Sequence, residues 1–544
     1  MHRACATFGE RRRGHGVNDT SHDRTDRGAR LVGAGIVVSR IVGFVRGSVL
    51  AMFVGSGAQA DAYNAALRIP NVLRNLLGEG AISASFVPVY AAALERGDEK
   101  GARALANALL GVLLIGTSLL TIVGMLLAPW LTQIFVGGEN GVDADTAVLT
   151  TRLMRVLFPM VGLMVLSGWC LGVQNANRRF FIAYASAAAW SIPQIVLLLI
   201  AGPRGEDLTT IVWWLSWATL GGAVLQIATQ MPQVIALVGS IAPTVRLDVP
   251  GLRDTLRNFV PVVTALGVFQ ISGFIDLRIA SFLPEGAIAN LGYASQLYLL
   301  PLSLFGVAGA AAALPELARE RARGDSTALL AGIARSWERV LFYTIPSAVA
   351  FLAIGDLIVG FAYRGPRFGD SEQAIVYWVL GGYALGLVGY SLSRVLAATY
   401  QAVQDYRTPF RAASVSIVVS ATGALALSLP FRDNNVAVAG IAAGGALGAY
   451  TNLLLLWRSL RARVGDVQLD TASLVAREAL LASLVGAAIT APLRLLFAPL
   501  PVRVQAIVAM AAFGAGFVVV AKARGLSEAD RLVARLRSVV GRVR

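Results

Sequence analysis

The chain has very little of the chemistry on which most enzymes and metal proteins depend. Its three histidines, His2, His15 and His22, all lie in the first 22 residues, so the rest of the chain has no imidazole. Its two cysteines, Cys5 and Cys170, are too few for a disulfide framework or a cysteine metal site. Histidine-based catalysis and histidine metal binding are therefore excluded from the main body of the protein.

Charge is also scarce, and most of the positive charge comes from arginine. Only 15% of the 544 residues are charged and 56% are hydrophobic, which predicts a polytopic membrane protein without a large soluble domain. The net charge of +15 would suggest nucleic-acid binding in a soluble protein. Here the arginines cluster in short loops, as membrane orientation requires, so no nucleic-acid partner is expected.

Apolar runs long enough to cross a bilayer recur along the chain and predict an all-α fold with about 14 transmembrane helices. The predicted spans are 31–53, 62–92, 104–130, 148–173, 181–201, 208–238, 258–282, 288–315, 333–360, 373–400, 411–430, 435–457, 474–495 and 503–522.

The chain also repeats itself. Pro88 is followed by Gly97-Asp98, and Pro315 is followed at the same distance by Gly324-Asp325. Both copies follow an even number of spans, so they share orientation and predict two pseudo-symmetric six-helix lobes around a central cavity, plus two further helices. The predicted division is a disordered basic tail at 1–29, lobes at 30–240 and 241–465, two additional helices at 466–523 and a basic amphipathic segment at 524–544. We expect that last segment to lie on the anionic inner leaflet, with a solvated tail as the alternative.

One predicted span, within the stretch Asp61–Pro88, carries an unusual amount of charge. On a helical wheel most of its polar residues fall within roughly 100° of one another, with Arg74 just beyond them: Asp61, Asn64, Arg68, Asn71, Asn75, Gly78 and Glu79. A charge at the bilayer centre costs about 2.5 to 3.5 kcal/mol, so this face is expected to meet protein or a water-filled cavity. The alternative is an amphipathic helix on the membrane surface, but the arginines alternate with asparagines and do not form one basic face.

Five motifs stand close together in the first two spans. They are Ser39-Arg40-Ile41-Val42-Gly43-Phe44-Val45-Arg46, Asp61-Ala62-Tyr63-Asn64, Arg68-Ile69-Pro70-Asn71-Val72-Leu73-Arg74, Gly78-Glu79-Gly80-Ala81 and Ser85-Phe86-Val87-Pro88. Together they resemble the MurJ/MviN family of lipid II flippases, within the multidrug/oligosaccharidyl-lipid/polysaccharide exporter superfamily. Matches at Tyr293-Ala294, at Leu300-Pro301 and from Tyr400 to Pro409 extend the resemblance over roughly residues 30 to 522.

The resemblance implies a transporter and not an enzyme. The expected function is to move lipid II, the undecaprenyl-pyrophosphate-linked disaccharide-pentapeptide, from the inner to the outer leaflet by alternating access for cell-wall synthesis. The implied location is the bacterial plasma (inner) membrane. No cofactor is expected, and the driving force is a membrane potential or a cation gradient. The expected partners are lipid II, membrane lipids and proteins of cell-wall synthesis.

The resemblance also implies the substrate-binding residues Arg40, Arg46, Asp61, Asn71, Arg74, Glu79 and Gln296. Arginine offers a planar fork of donors that fits a pyrophosphate and never deprotonates. The alternative is that these charges only pair with each other and hold the first two spans together.

Two residues, and the eleventh span, depart from the family pattern. Gln296 stands where an arginine is usual, and Gly47 stands where an acidic residue is frequent. Asp276 matches a position linked to cation binding in some members, but the eleventh span offers it only serine and threonine. Asp276 is thus a cation candidate, and no metal site is predicted.

Other functions remain open from the sequence. A non-transporting scaffold of cell-wall synthesis would fit the losses at Gln296 and on the eleventh span, and a flippase for another polyprenyl-linked glycan would share the same cavity. An enzyme acting on polyprenyl phosphates would need clustered acids for Mg²⁺ or a catalytic base, and the loops show no such cluster.

The loop charges predict that both termini are cytoplasmic, because arginines are enriched after even-numbered spans. Reporter fusions at the loop near Gly137 and at the C-terminus should therefore report opposite sides of the membrane. The same side for both fusions would contradict this topology.

Overall fold

The computed structural model describes residues 18–137, 142–307, 309–310, 319, 326–402, 405–465 and 469–543. Within these ranges the regular structure is helical, and the only β-type pairing is an isolated bridge between Gly365 and Phe368. The prediction of an all-α fold is confirmed.

The helices follow one another with short connections. They are α1 (Asn18–Val54), α2 (Ala58–Leu77), α3 (Glu79–Ser85), α4 (Val87–Glu95), α5 (Glu99–Phe135), α6 (Ala144–Ala176), α7 (Phe180–Ala185), α8 (Ala187–Ala201), α9 (Leu208–Val238), α10 (Leu252–Ala280), α11 (Ala287–Pro301), α12 (Ser326–Ala353), α13 (Gly355–Tyr363), α14 (Asp370–Ala402), α15 (Arg407–Ser428), α16 (Ala437–Val464), α17 (Asp470–Leu496), α18 (Val502–Ala523) and α19 (Ser527–Val543). Single turns of tighter helix lie at Gly202–Arg204 and Leu429–Phe431, and a π-helical turn at Leu302–Val307 follows Pro301.

Within the described residues, 11 helical stretches are long and apolar enough to cross a membrane, or 12 if α12 and α13, bent by 82°, form one span. With α12 and α13 counted as one span, these stretches coincide with all the predicted spans except 258–282 and 288–315. Helix α10 covers most of the first of these, whereas the second continues from α11 into residues outside the described ranges. The exact number of 14 spans stays a prediction.

The predicted span at 62–92 lies within one stretch long and apolar enough to cross a membrane, Ala58–Glu95, but α2, α3 and α4 share it. The first break is at Gly78, whose backbone leaves the helical region while its N–H still reaches Arg74 O at 2.8 Å. A Cβ at Gly78 would lie 2.5 Å from that same carbonyl oxygen, so only glycine fits there. The second break, at Phe86, comes just before Pro88, which has no N–H to continue the helical hydrogen bonds.

Both ends of the chain contain more helix than was expected. Helix α1 begins at Asn18, inside the predicted tail 1–29, whose first 17 residues lie outside the described part. Asp23 and Arg27 stand four positions apart in the sequence, as do Asp26 and Arg30, and this spacing favours a helix in a polar segment.

At the other end, α19 is docked on the membrane helices by its first turn. Glu528 pairs with Arg531 at 2.6 Å and lies 4.0 Å from Arg339 of α12, while Leu526 and Ala529 are buried in the same region. The position of α19 on a membrane surface stays a prediction.

The helices pack as two groups with a shared interface. In the first, α6 contacts α2, α5 and α9; in the second, α14 contacts α11, α12 and α16. Helices α17 and α18 pack on each other and on α12 and α13. The two groups meet where α10 packs on α2, α3 and α5, and where α11 packs on α2.

The starts of α2 and α11 cap each other across this interface. The Asp61 carboxylate accepts hydrogen bonds from the backbone N–H of Gly286 at 2.8 Å and of Ala289 at 2.7 Å, both in the first turn of α11. In return, the Glu285 carboxylate accepts from the N–H of Ala58 in the first turn of α2, at 2.6 Å. A carboxylate at a helix N-terminus is stabilised by the free N–H groups and by the helix dipole. The exchange therefore joins the two helix groups at one face of the protein, called here the capped face.

Aromatic side chains fill the space behind these caps. Tyr293 donates to Gly55 O at 2.7 Å, and Tyr363 donates to Tyr293 O at 2.9 Å. Their rings lie 5.3 Å apart, and Phe368 packs on both. Arg278 adds a link from α10 to Gly137 O at 2.6 Å. The capped face is thus sealed by several separate contacts between the two groups.

Asp61 can be tested as a structural residue. Asp61→Ala should lower the thermal unfolding midpoint of the purified protein by a few degrees, because each hydrogen bond to the charged group is worth about 1.5 to 3 kcal/mol. Asp61→Asn should cost less, since its carbonyl oxygen still accepts one bond. The matched control is Asp145→Ala, which removes an exposed acid from the first turn of α6. An unfolding midpoint equal for Asp61→Ala and wild type would contradict this role.

Candidate substrate-binding cavity

A cavity of about 670 Å³ lies between the two helix groups, behind the capped face. Its walls come mainly from α1, α2, α8 and α11. Along α1 it extends from Leu50 to Ile36, which corresponds to roughly 20 Å of helix. Tyr63 and Tyr293 line its end nearest the capped face.

The cavity is lined by arginine but not by carboxylates. Arg40 and Arg46 come from α1 and Arg74 from α2, and no aspartate or glutamate belongs to the lining among the described residues. Positive charge in a space with low-dielectric walls attracts anions strongly. The arrangement is therefore suited to an anionic ligand.

Trp190 of α8 forms a platform for two of these arginines. The guanidinium carbon of Arg46 lies 4.6 Å from the ring centre, and that of Arg74 lies 5.4 Å from it. The indole N–H donates to Thr219 O at 3.2 Å and fixes the ring. The face of a tryptophan ring attracts cations, so Trp190 holds both groups at the cavity without neutralising their charge. Sequence reasoning missed Trp190, which stands in an alanine-rich run with no charged residue near it in the sequence.

Arg46 keeps part of its donor capacity unused. One terminal nitrogen donates to Gln194 Oε1 at 3.5 Å, and Gln194 also accepts from the Tyr63 hydroxyl at 3.4 Å. The Arg46 Nε atom is buried without a hydrogen-bond partner in the part of the chain that the structure describes, and so is Asn71 Oδ1. Buried polar atoms are normally paired, so these atoms are poised to meet a ligand or water.

The two departures from the family pattern on these helices touch each other. A Cβ built on Gly47 would lie 2.0 Å from Gln296 Oε1, so the glutamine occupies the space that a side chain at 47 would need. The Gln296 amide also donates to Gly43 O at 3.3 Å and to Phe44 O at 3.4 Å. Gly47 stands in place of an acid and Gln296 in place of an arginine. The two departures thus remove one negative and one positive charge together, so that no charge is left without a partner. Gln296 therefore lines the cavity, but its amide donates its hydrogen bonds to backbone carbonyls of α1.

The remaining predicted site residues lie elsewhere. Asp61 is outside the lining, in the helix cap described above. Glu79 begins α3, and its side chain lies outside the described part. Asp276 faces a second, smaller cavity of about 150 Å³. No group of three or more metal-ligating residues occurs in the described ranges, and a cation at Asp276 stays a prediction.

The motif from Tyr400 to Pro409 serves the fold and not the cavity. Asp405 accepts hydrogen bonds from the backbone and hydroxyl of Thr408 and from Arg463 at 2.6 Å, and so caps α15. The Thr408 side chain and backbone N–H, together with Arg463, hold the pKa of Asp405 well below its usual range. Its charge is therefore committed to this cap.

Two groups of membrane helices around an anion-attracting cavity, sealed at one face, define the class: a multi-pass membrane transporter fold. The model of the family described as lipid II flippase MurJ matches residues 50–509. Among similar proteins, a probable lipid II flippase MurJ from Rhizobium tropici is 34% identical over 76% of this chain and 77% of that protein. A second, from Rhizobium meliloti (strain 1021), is 32% identical over 79% of each. The chain therefore belongs to the lipid II flippase MurJ family, and the resemblance noted from its motifs is confirmed.

Solved structures show the same fold. The lipid II flippase MurJ in an inward closed conformation superposes with a TM-score of 0.72 at 21% identity, over 90% of this chain and 99% of that one. An inward-facing multidrug resistance transporter of the MATE family, from the MOP superfamily, gives a TM-score of 0.64 at 14% identity over 80% and 98%.

Trp190 supplies a test of the cavity. Trp190→Leu should weaken the affinity of the purified protein for lipid II by about five-fold to thirty-fold, since a cation–π contact at a solvent-accessible site is worth about 0.5 to 1 kcal/mol and two are lost. Trp190→Phe keeps a ring and should lose less. The control is Trp214→Leu on α9, a tryptophan that is 54% exposed and has no ring partner in the described residues. Equal losses in Trp190→Leu and Trp214→Leu would mean that the platform does not serve the ligand.

Proposed function

We propose that this chain moves lipid II, the undecaprenyl-pyrophosphate-linked disaccharide-pentapeptide, from the inner to the outer leaflet of the bacterial plasma membrane. The observation that carries the proposal is the cavity lined by Arg40, Arg46 and Arg74, whose described lining contains no carboxylate. Membership of the lipid II flippase MurJ family supports the same substrate.

The charge of the cavity matches the part of lipid II that resists crossing a bilayer. A pyrophosphate carries several negative oxygens, and arginine binds such groups with paired, charge-assisted hydrogen bonds. No acidic residue belongs to the described lining, so the charge of that lining is positive and complements the charge of the pyrophosphate. The polyprenyl tail needs no such site, since it is already soluble in lipid.

The capped face supports alternating access. With both termini cytoplasmic, α2 and α11 begin at the outer side, so the reciprocal caps of Asp61 and Glu285 close the outer face and leave the cavity to be loaded from the inner leaflet. Release requires these caps to open while the opposite side closes, by rocking of the two lobes. The driving force we propose is a membrane potential or a cation gradient. The process has no catalytic step, and proteins of cell-wall synthesis are the expected partners.

A non-transporting scaffold is less consistent with the cavity. Three arginines around one cavity at membrane depth are costly, and a scaffold gains nothing from them. The losses at Gln296 and Gly47 do not favour a scaffold either, because those two positions compensate each other sterically and in charge.

Arg46 and Arg74 test the proposal most directly. Arg46→Ala and Arg74→Ala should each fail to support growth of a cell depleted of its own flippase, while the protein still reaches the membrane. Arg74→Lys should also be poor, because a point charge cannot replace a planar fork of donors. The matched control is Arg204→Ala, an exposed arginine just after α8, which should support growth normally.

The direct readout is the amount of lipid II accessible from the outer leaflet. It should fall in the two alanine variants and stay normal in Arg204→Ala. Full growth and normal outer-leaflet lipid II with Arg74→Ala and Arg46→Ala would show that this cavity is not the transport site.

A further inference from the structure

A second cavity of about 150 Å³ adjoins the first and contains opposite charges. It lies between α2, α10, α11 and α14, and it shares Asn64, Gly292 and Ser295 with the main cavity. We call it the side pocket. Its charged residues are Arg68 from α2 and Asp276 from α10.

These two charges face the same small space without pairing. Neither Arg68 nor Asp276 makes a hydrogen bond or an ion pair with any residue that the structure describes. Arg68 lies over Gly273, where a Cβ would come within 2.0 Å of its guanidinium, so the glycine makes room for it. Two opposite charges that line one pocket without a direct ion pair can each bind one end of a ligand that carries both signs.

The neutral polar side chains of the side pocket have oxygen atoms that can accept further hydrogen bonds. The Asn64 amide donates an N–H to Ala60 O at 2.8 Å, and its carbonyl oxygen remains as an acceptor. Ser295 donates to Gly292 O at 2.8 Å and likewise keeps its oxygen as an acceptor. Tyr383 adds a hydroxyl, with its ring stacked at 5.0 Å on Tyr298.

The size of the pocket limits the ligand. A cavity of about 150 Å³ can hold a molecule as large as benzene, so a single amino-acid end group fits and a sugar-pyrophosphate does not. A metal ion is disfavoured, because the pocket offers one carboxylate and includes a guanidinium that cannot lose its charge. The donors and acceptors suit a zwitterion, that is, an ammonium and a carboxylate on one small group.

We propose that the side pocket binds a diamino acid of the stem peptide of the lipid-linked substrate, whose free side-chain amine and neighbouring carboxylate form a zwitterion, with the ammonium at Asp276 and the carboxylate at Arg68. This assignment rests on the proposed function, since it assumes that the pyrophosphate occupies the main cavity next door. It makes Arg68 and Asp276 specificity-determining residues, which select for the peptide and not for the lipid.

The experiment uses the purified full chain and three forms of the lipid-linked disaccharide-pentapeptide. One form carries the free side-chain amine of its diamino acid and the neighbouring carboxylate; the second has that amine acetylated; the third has that carboxylate amidated. Wild type should bind the unmodified form about ten-fold tighter than either modified form, as expected for the loss of one charge-assisted hydrogen bond.

The variants separate the two ends of the zwitterion. Asp276→Asn should bind the acetylated form as tightly as the unmodified form. Arg68→Gln should bind the amidated form as tightly as the unmodified form. Both variants should still bind the lipid-linked precursor through the main cavity. The matched controls are Asp254→Asn and Arg253→Gln, two exposed residues in the first turn of α10, which should keep both preferences. Replacing Na⁺ by choline should leave the preferences of wild type unchanged.

The possible failures are distinct. Equal binding of all three forms by wild type overturns the side-pocket proposal and leaves the flippase proposal intact. Loss of the preferences when Na⁺ is removed would assign the pocket to a cation and would also overturn it. Wild type that binds none of the forms would remove the proposed function and the peptide site together.

Discussion

Three arginines around one cavity at membrane depth, where the described lining contains no carboxylate, are the constraint on which the rest of the structure depends. Like charges repel and each is costly to bring into the bilayer, so the surroundings must compensate without neutralising them. Trp190 does so for Arg46 and Arg74 with the face of its ring. Polar neighbours, water or an anionic ligand can supply the remaining compensation, and the positive lining favours the anion.

The seal at the capped face is strong enough to hold the two lobes and weak enough to open. Asp61 and Glu285 bond to backbone N–H groups at helix starts, and not to arginines in buried ion pairs. Each such bond contributes about 1.5 to 3 kcal/mol, so the whole exchange is within reach of a ligand that binds one state better than the other. When the face opens, water can satisfy both the carboxylates and the N–H groups, which lowers the cost further.

Hydropathy was sufficient to place most helices, because burial in lipid leaves a long apolar run. The bounds predicted for α9, 208–238, agree with those of the helix, and the arginine cavity followed from motifs on the first two spans. The breaks at Gly78 and Phe86 and the bend between α12 and α13 were not predicted, since hydropathy gives the length of an apolar run and not the places where the helix breaks within it. The place of Asp61 could not be inferred either, because its partners Gly286 and Ala289 are more than 220 positions away in the chain.

Helix α2 distributes its polar face among three separate tasks, which explains why one span carries so much charge. Asp61 at its start caps α11, Arg68 one turn beyond Asn64 faces the side pocket, and Arg74 near its end lines the main cavity. A shift of this helix as a body moves all three groups together. Any such shift that opens the capped face therefore also moves Arg74 in the main cavity and Arg68 in the side pocket. Coupling of ligand binding to lobe movement then needs no relay of side chains, because a single helix makes all three contacts.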